Sequence, residues 1–279
     1  MKILFPKTVA SLWQTWREHP DANVFAGGTD LFVRLRGKSI QPTVLIGLEW
    51  LNELNFISMD GDNLVVGAAV SLEELRNHQV LDRLQVLREA LDSFASPPIR
   101  HSATIGGNLC TASPAGDCLP PLYVLDAVVT LASEAGRREI AVADFIAGPG
   151  RTALAPREIV TTVKIPLPPS DAMTSYSKVG KRKALAIAVT SMALAAIPES
   201  GGRISHVRLA WGSVGPTVTT FPEIEQLLAG KPVTAELLRQ AAAQVAAAVK
   251  PIDDVRSSAA YRRQVAGNLL VKALWPYSS

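Results

Sequence analysis

Apolar positions change their period several times along this chain. Val9, Leu12, Trp13 and Trp16 fall at i, i+3, i+4 and i+7, the spacing of one helix face. Residues 23–26 form a short strand pattern that runs into a double glycine, and 31–35 continue as a helix or an extended segment. The stretches 43–47 and 64–68 read as buried strands, with turn chemistry at Asp60-Gly61-Asp62 between them. Ser71 and Glu74 form a capping box that opens a short helix through Leu75. An amphipathic helix over 84–94 ends before Pro97-Pro98, whose rings forbid its continuation. Strand patterns follow at 127–132, at 139–142 after a turn at Gly136, and at 159–165. Pro166-Leu-Pro-Pro169 has the composition of a linker. Beyond it come a strand at 175–179, a long apolar run at 184–197, a hairpin turn at Gly201-Gly202, a strand at 204–211, and helices around 236–249 and 261–274. Strands first and helices last make this final part a small α+β unit.

Composition narrows the class. The chain has 279 residues, 48% of them hydrophobic and 19% charged. That is enough for one large domain or two modest ones with a substantial core. A net charge of +3 is too small for a nucleic-acid binder. Cys110 and Cys118 lack zinc-finger or CxxC spacing and read as free thiols of a reducing cytosol. Two thiols cannot supply the four ligands of an ordinary iron–sulfur cluster. His19, His78 and His206 are scattered, so no metal site is expected. The N-terminus carries no secretory pattern, and 184–197 is shorter than the roughly 20 residues of a membrane span. The expectation is a soluble, cytoplasmic protein.

Two glycine pairs carry the candidate chemistry. Gly27-Gly28 leads into Thr29 and Asp30, and Gly106-Gly107 leads into Asn108. Glycine lets a ligand touch the main chain, and successive N–H groups in such a turn can form an anion-binding nest. Thr29, Thr104 and Thr111 add hydroxyl groups. The pattern invites a phosphate or pyrophosphate. Spacing alone leaves two ordinary turns equally open, and neither pair fits GxGxxG or a Walker A loop.

The strings FAGGTDL and ASPPIRHSATIGGNLCTASPAGD carry a resemblance. With VVGAAVSLEEL, DFIAGPGRT, VKIPLP, SKVGKRKA and AYRRQVAGNLL in their places, the chain resembles the FAD-binding medium subunit of the molybdenum hydroxylases, the xanthine dehydrogenase and carbon monoxide dehydrogenase family. The resemblance implies an α+β fold: a two-part FAD-binding domain of the vanillyl-alcohol-oxidase/PCMH type over 1–170, with subdomains 1–55 and 56–170, then a smaller α+β C-terminal domain over 171–279. It implies that Phe25, Ala26, Gly27, Gly28, Thr29, Asp30 and Leu31 form one clasp on the FAD diphosphate. Thr104, Ile105, Gly106, Gly107 and Asn108 form the second, followed by Thr111. Asp117 matches an acid that bonds the cofactor, Val160 lies near the adenine, Lys178 near the flavin ring, and Phe94 and Ile187 flank the isoalloxazine.

On the residues alone, Asp117 could instead cap the helix near Leu119, Lys178 could be an exposed cation, and Phe94 and Ile187 could be core. The two arginines of YRRQ read as helix-surface or interface residues. His101 replaces the family's usual asparagine, and Ala186 its common aspartate.

The resemblance further implies an oxidoreductase subunit that does not act on the organic substrate by itself. It would relay electrons from partner [2Fe–2S] clusters through FAD to an acceptor such as NAD, oxygen or a quinone. The large molybdopterin-binding and small iron–sulfur subunits would complete an (αβγ)2 assembly. Two alternatives stand beside this: a self-contained FAD-dependent oxidoreductase, and a non-catalytic nucleotide- or anion-binding module.

Overall fold

The computed structural model describes residues 1–182 and 184–277, which divide into two compact units. The first gathers Met1–His78, Ser96–Ala112 and Ala127–Pro166. In it, Thr8 caps the helix Val9–Glu18 through a reciprocal pair with Ser11. This helix joins the strand Lys2–Leu4 to Asn23–Phe25, and the helix Leu31–Arg36 leads on to Val44–Gly47. All three strands are parallel, with Val44–Gly47 in the middle. Leu12, Trp16, Ile46, Leu48, Leu51 and Leu54 bury the apolar stripe that the spacing predicts.

A five-stranded antiparallel sheet completes this unit, in the order Ile57–Asp60, Asn63–Gly67, Ile159–Pro166, Val128–Ser133, Gly136–Ala141. The Ile57–Asp60 strand was not expected. It pairs with the predicted 64–68 strand across the Asp60-Gly61-Asp62 turn. Pro97 and Pro98 do more than end the preceding helix. They stand at the start of a new one, Pro97–Ser102, where a missing N–H costs nothing. A further helix, Ile105–Thr111, capped by Thr104, follows.

The second unit gathers Gln79–Ala95, Ser113–Asp126 and the chain from Leu167 onward. Thr190–Glu199 is the middle strand of an antiparallel sheet between Met173–Val179 and Arg203–Gly212. The apolar run at 184–197 is therefore a strand only from Thr190. Side chains alternate across such a sheet. Met192, Leu194 and Ala196 point into a core shared with the helices Pro222–Leu228, Ala235–Ala248 and Ala259–Leu274. The other face receives the helices Gln85–Ser93 and Leu119–Val124. Arg262 corrects the surface reading of YRRQ: it is buried, and donates to the carbonyls of Val189 at 2.6 Å and Ser213 at 3.0 Å and to Asp254 at 2.7 Å. Three loop segments converge on one guanidinium, whose planar fork serves several acceptors at once. No helix among the described residues is long and apolar enough to cross a membrane.

Candidate functional site

The first glycine pair closes the Asn23–Phe25 strand. A Cβ on Gly27 would fall 1.6 Å from the carbonyl oxygen of Ser102. What approaches too closely for a side chain is thus the chain itself, at the segment that leads into the second pair. Gly28 has φ +69°, a left-handed conformation in which glycine avoids the Cβ clash, and the Phe32 ring lies over it. Phe32 packs edge-on to Phe25, with ring centroids 5.5 Å apart, and Phe25 continues to Phe5 and Trp50. These rings brace the turn.

The turn itself is left open. Among the described residues, the N–H groups of Gly27, Gly28, Thr29, Asp30 and Leu31 have no acceptor in the protein. Backbone donors are rarely left unpaired away from water, and a consecutive row of them is an anion-binding surface. Asp30 is exposed, while Thr29 and Leu31 are half-buried.

The second pair differs from its expectation as a nest. Ile105 N–H bonds Val70 O and Gly106 N–H bonds Ala68 O. Gly107 N–H bonds the Thr104 hydroxyl at 3.0 Å, and Asn108 N–H bonds Thr104 O. These two glycines sit in the first turn of the Ile105–Thr111 helix, and their N–H groups are already paired. Gly106 is glycine because a Cβ there would press on Ala68. What this segment leaves over is a side chain: the Asn108 carboxamide oxygen is buried without a partner. A buried acceptor without a donor is costly. A ligand hydroxyl would satisfy it, and a phosphate would not. Thr111, half-buried, ends the same helix.

Sequence reasoning missed Glu73. Its helix, Leu72–Asn77, is capped by the Ser71 hydroxyl, which accepts from Glu74 N–H, without the return bond to the Glu74 side chain that a capping box adds. Glu73 accepts from Arg100 Nε at 2.5 Å, and both residues are buried. The hydrogen bond from Arg100 holds the Glu73 carboxyl below its usual range, against the opposing effect of burial. The pair ties the Leu72–Asn77 and Pro97–Ser102 helices together just ahead of the TIGGN segment.

In the second unit, Asp117 does not cap the Leu119–Val124 helix; Cys118 holds that position without a side-chain bond. Asp117 lies instead in a buried polar group. Lys178 Nζ donates to its Oδ2 at 2.6 Å and Tyr176 Oη to its Oδ1 at 2.9 Å. Lys178 also donates to Ser93 O at 3.0 Å. Tyr176 and Lys178 are two apart on one strand and so share a face. The Lys178 side chain is 7% exposed, which excludes the exposed-cation reading. Burial pushes the Asp117 carboxyl up, opposed by the Lys178 charge and by hydrogen bonds from Lys178 and Tyr176. Burial, reinforced by the Asp117 charge, keeps the Tyr176 phenol protonated.

Lys178 also lines an open cavity of about 460 Å³ with Ser93, Lys181, Arg182 and Ala186. Phe94 follows Ser93 as the half-buried cap of the Gln85–Ser93 helix. Ile187 is 57% exposed, so it is no core residue. Val160 is buried, on the middle strand of the five-stranded sheet opposite Leu131.

Residues 1–168 match the family model for the FAD binding domain in molybdopterin dehydrogenase, and 175–276 match that for the CO dehydrogenase flavoprotein C-terminal domain. The chain is 32% identical over 266 residues to the nicotinate dehydrogenase FAD-subunit of Eubacterium barkeri, covering 93% of this chain and 90% of that one. It is 31% identical to the glyceraldehyde dehydrogenase medium chain of Sulfolobus acidocaldarius, covering 89% and 88%. A chain in the structure of carbon monoxide dehydrogenase from Hydrogenophaga pseudoflava superposes with TM-score 0.92 at 27% identity, covering 100% of this chain and 98% of that one. One in quinoline 2-oxidoreductase from Pseudomonas putida 86 gives 0.93 at 25%, covering 99% and 96%. The chain belongs to the family of FAD-binding medium subunits of the molybdenum hydroxylases.

Proposed function

We propose that this chain is the FAD-carrying subunit of a molybdenum-dependent hydroxylase or dehydrogenase, an oxidoreductase component that passes electrons from partner [2Fe–2S] clusters to an acceptor. The observation that carries this reading is the row of five unpaired N–H groups at Gly27–Leu31, inside the stretch that matches the FAD-binding family model. Each unit, taken by itself, holds residues that suit one part of a flavin dinucleotide. The Gly27–Leu31 row suits the diphosphate, braced by Phe25 and Ala26. The Asn108 oxygen suits a polyol or ribose hydroxyl, with Thr104 and Thr111 beside it in sequence. In the second unit, Lys178, Asp117, Phe94 and Ile187 are the proposed neighbours of the ring, and Val160 would meet the adenine through its backbone.

When bound, FAD accepts electrons singly and gives them up in pairs, which suits a junction between one-electron clusters and a two-electron acceptor. This chain's own contribution is placement and electrostatics. The N–H row offsets diphosphate charge, and Lys178 holds a fixed positive charge at the wall of its cavity. We further propose the division 1–170 and 171–279, a large molybdopterin-binding and a small iron–sulfur partner in an (αβγ)2 assembly, a cytoplasmic location, and NAD, oxygen or a quinone as acceptor.

The test is the visible spectrum of the purified chain, followed by acid release and identification of the chromophore. Free FAD without iron–sulfur absorption supports the reading. A colourless chain that refuses added FAD sinks it and leaves an anion-binding module. Reduction by an organic substrate without partners would instead identify a self-contained oxidoreductase.

A further inference from the structure

The cavity wall poses a question that the cofactor reading leaves open: why is the lysine there bound to a buried acid that is itself bound to a buried tyrosine? Lys178 has three N–H donors. Two are engaged, one by Asp117 and one by the Ser93 carbonyl. The third remains for whatever fills the cavity that Lys178 lines. Asp117 is held from its other side by Tyr176, whose own N–H donates to Glu89 at 2.6 Å. The strand is thus pinned to the Gln85–Ser93 helix at the tyrosine, and the lysine is pinned to the end of that same helix at Ser93. A free lysine is a flexible point charge with much rotamer freedom. This one has its ammonium fixed by two acceptors.

We propose that Tyr176 is a positioning residue: through Asp117 it fixes the Lys178 ammonium at the cavity, where that charge raises the reduction potential of the flavin. The proposal rests on the reading that the flavin ring meets Lys178. Electrons arriving on a cofactor add negative charge, and a cation held beside it in a poorly solvated wall stabilises that charge. Loss of the phenolic hydroxyl leaves one oxygen of a buried carboxylate unpaired. Asp117 is then free to turn or to draw Lys178 inward, away from the cavity.

The experiment is a redox titration of the flavin in the assembled holoenzyme, alongside FAD content and melting temperature. It compares wild type with Tyr176→Phe, Lys178→Met and Lys178→Arg. Lys178→Met is expected to reduce the equilibrium constant for flavin reduction about tenfold, a fall of about 30 mV for a two-electron couple. Tyr176→Phe should move the potential the same way by less, and Lys178→Arg should restore most of it. Tyr176→Phe with full FAD content and an unmoved potential overturns the proposal. If Tyr176→Phe fails to fold or to load FAD, the lysine pair decides. An unmoved Lys178→Met overturns the proposal, and a lowered Lys178→Met with Lys178→Arg restored upholds it. Wild-type holoenzyme without FAD sinks the cofactor reading instead.

Discussion

Gly27 and Gly107 each belong to a double glycine, and they are glycine for different reasons. At Gly27 a Cβ meets backbone, the Ser102 carbonyl at 1.6 Å, which no side-chain motion can relieve. At Gly107 it meets only the Thr104 hydroxyl at 3.0 Å, which must yield by a few tenths of an ångström. Gly27→Ala should therefore cost about 3 kcal/mol or more, through strain between the two segments. Gly107→Ala should melt near wild type, since alanine in a helix recovers up to about 1 kcal/mol over glycine. It should nonetheless retain less FAD, because the added methyl stands on the side open to a ligand. Thermal melts with flavin absorbance per chain check both; normal FAD content in Gly107→Ala would remove that position from the site. Arg262 yields a second prediction. Lysine keeps the charge but cannot serve Val189, Ser213 and Asp254 together. Arg262→Lys should lose about 2–3 kcal/mol, read as a lower urea midpoint, by leaving buried acceptors unpaired. The buried role of Arg262 was illegible because charge type and helical spacing say nothing about loops that converge from 189, 213 and 254.

At the scale of elements, local rules that act within a few residues were legible. The Val9–Trp16 stripe, the Ser71 cap and the Gly201-Gly202 turn are decided by neighbours in sequence. Rules that need a distant partner were not. Pro97-Pro98 reads equally as a stop or as a start, and only the structure shows the helix beyond. The Glu73–Arg100 pair spans two such helices, and it carries a pH prediction. The folded Glu73 carboxyl titrates below its ordinary value of 4.5, so beneath that pH the unfolded chain binds more protons than the folded one. Stability then rises with pH through that window. The pair's contribution is complete above 4.5 and is lost as pH falls through the folded value. Glu73→Gln should lower the urea midpoint near neutrality, where it replaces a charged acceptor of the Arg100 guanidinium with a neutral one. It should also flatten the acid limb, because the titrating group is gone. Denaturation series from about pH 3 to pH 7 test this. An acid limb parallel to wild type would mean that other carboxylates control it.

At the scale of the whole molecule, the family resemblance carried what periodicity did not. Spacing and composition reached two glycine turns and a linker at Pro166–Pro169, and the ordered motifs reached FAD. Neither showed that Gln79–Ala95 and Ser113–Asp126, upstream of that linker, pack with the chain downstream of it. That exchange gives Asp117 its partners, since Tyr176 and Lys178 lie beyond the linker. A chain that carries FAD but neither cluster nor molybdenum chemistry has an electron donor only when its partners are present. Mixed with an organic substrate of the assembled enzyme, the isolated flavoprotein should keep its oxidised spectrum, while the same substrate bleaches the flavin once the large and small subunits are bound. Dithionite should bleach it in both cases, which shows that the flavin is competent. Bleaching by substrate in the isolated chain would move the site of substrate oxidation into this subunit. It would also require an acid or base beside the flavin, and Asp117, held by Tyr176 and Lys178, would be the first residue to replace.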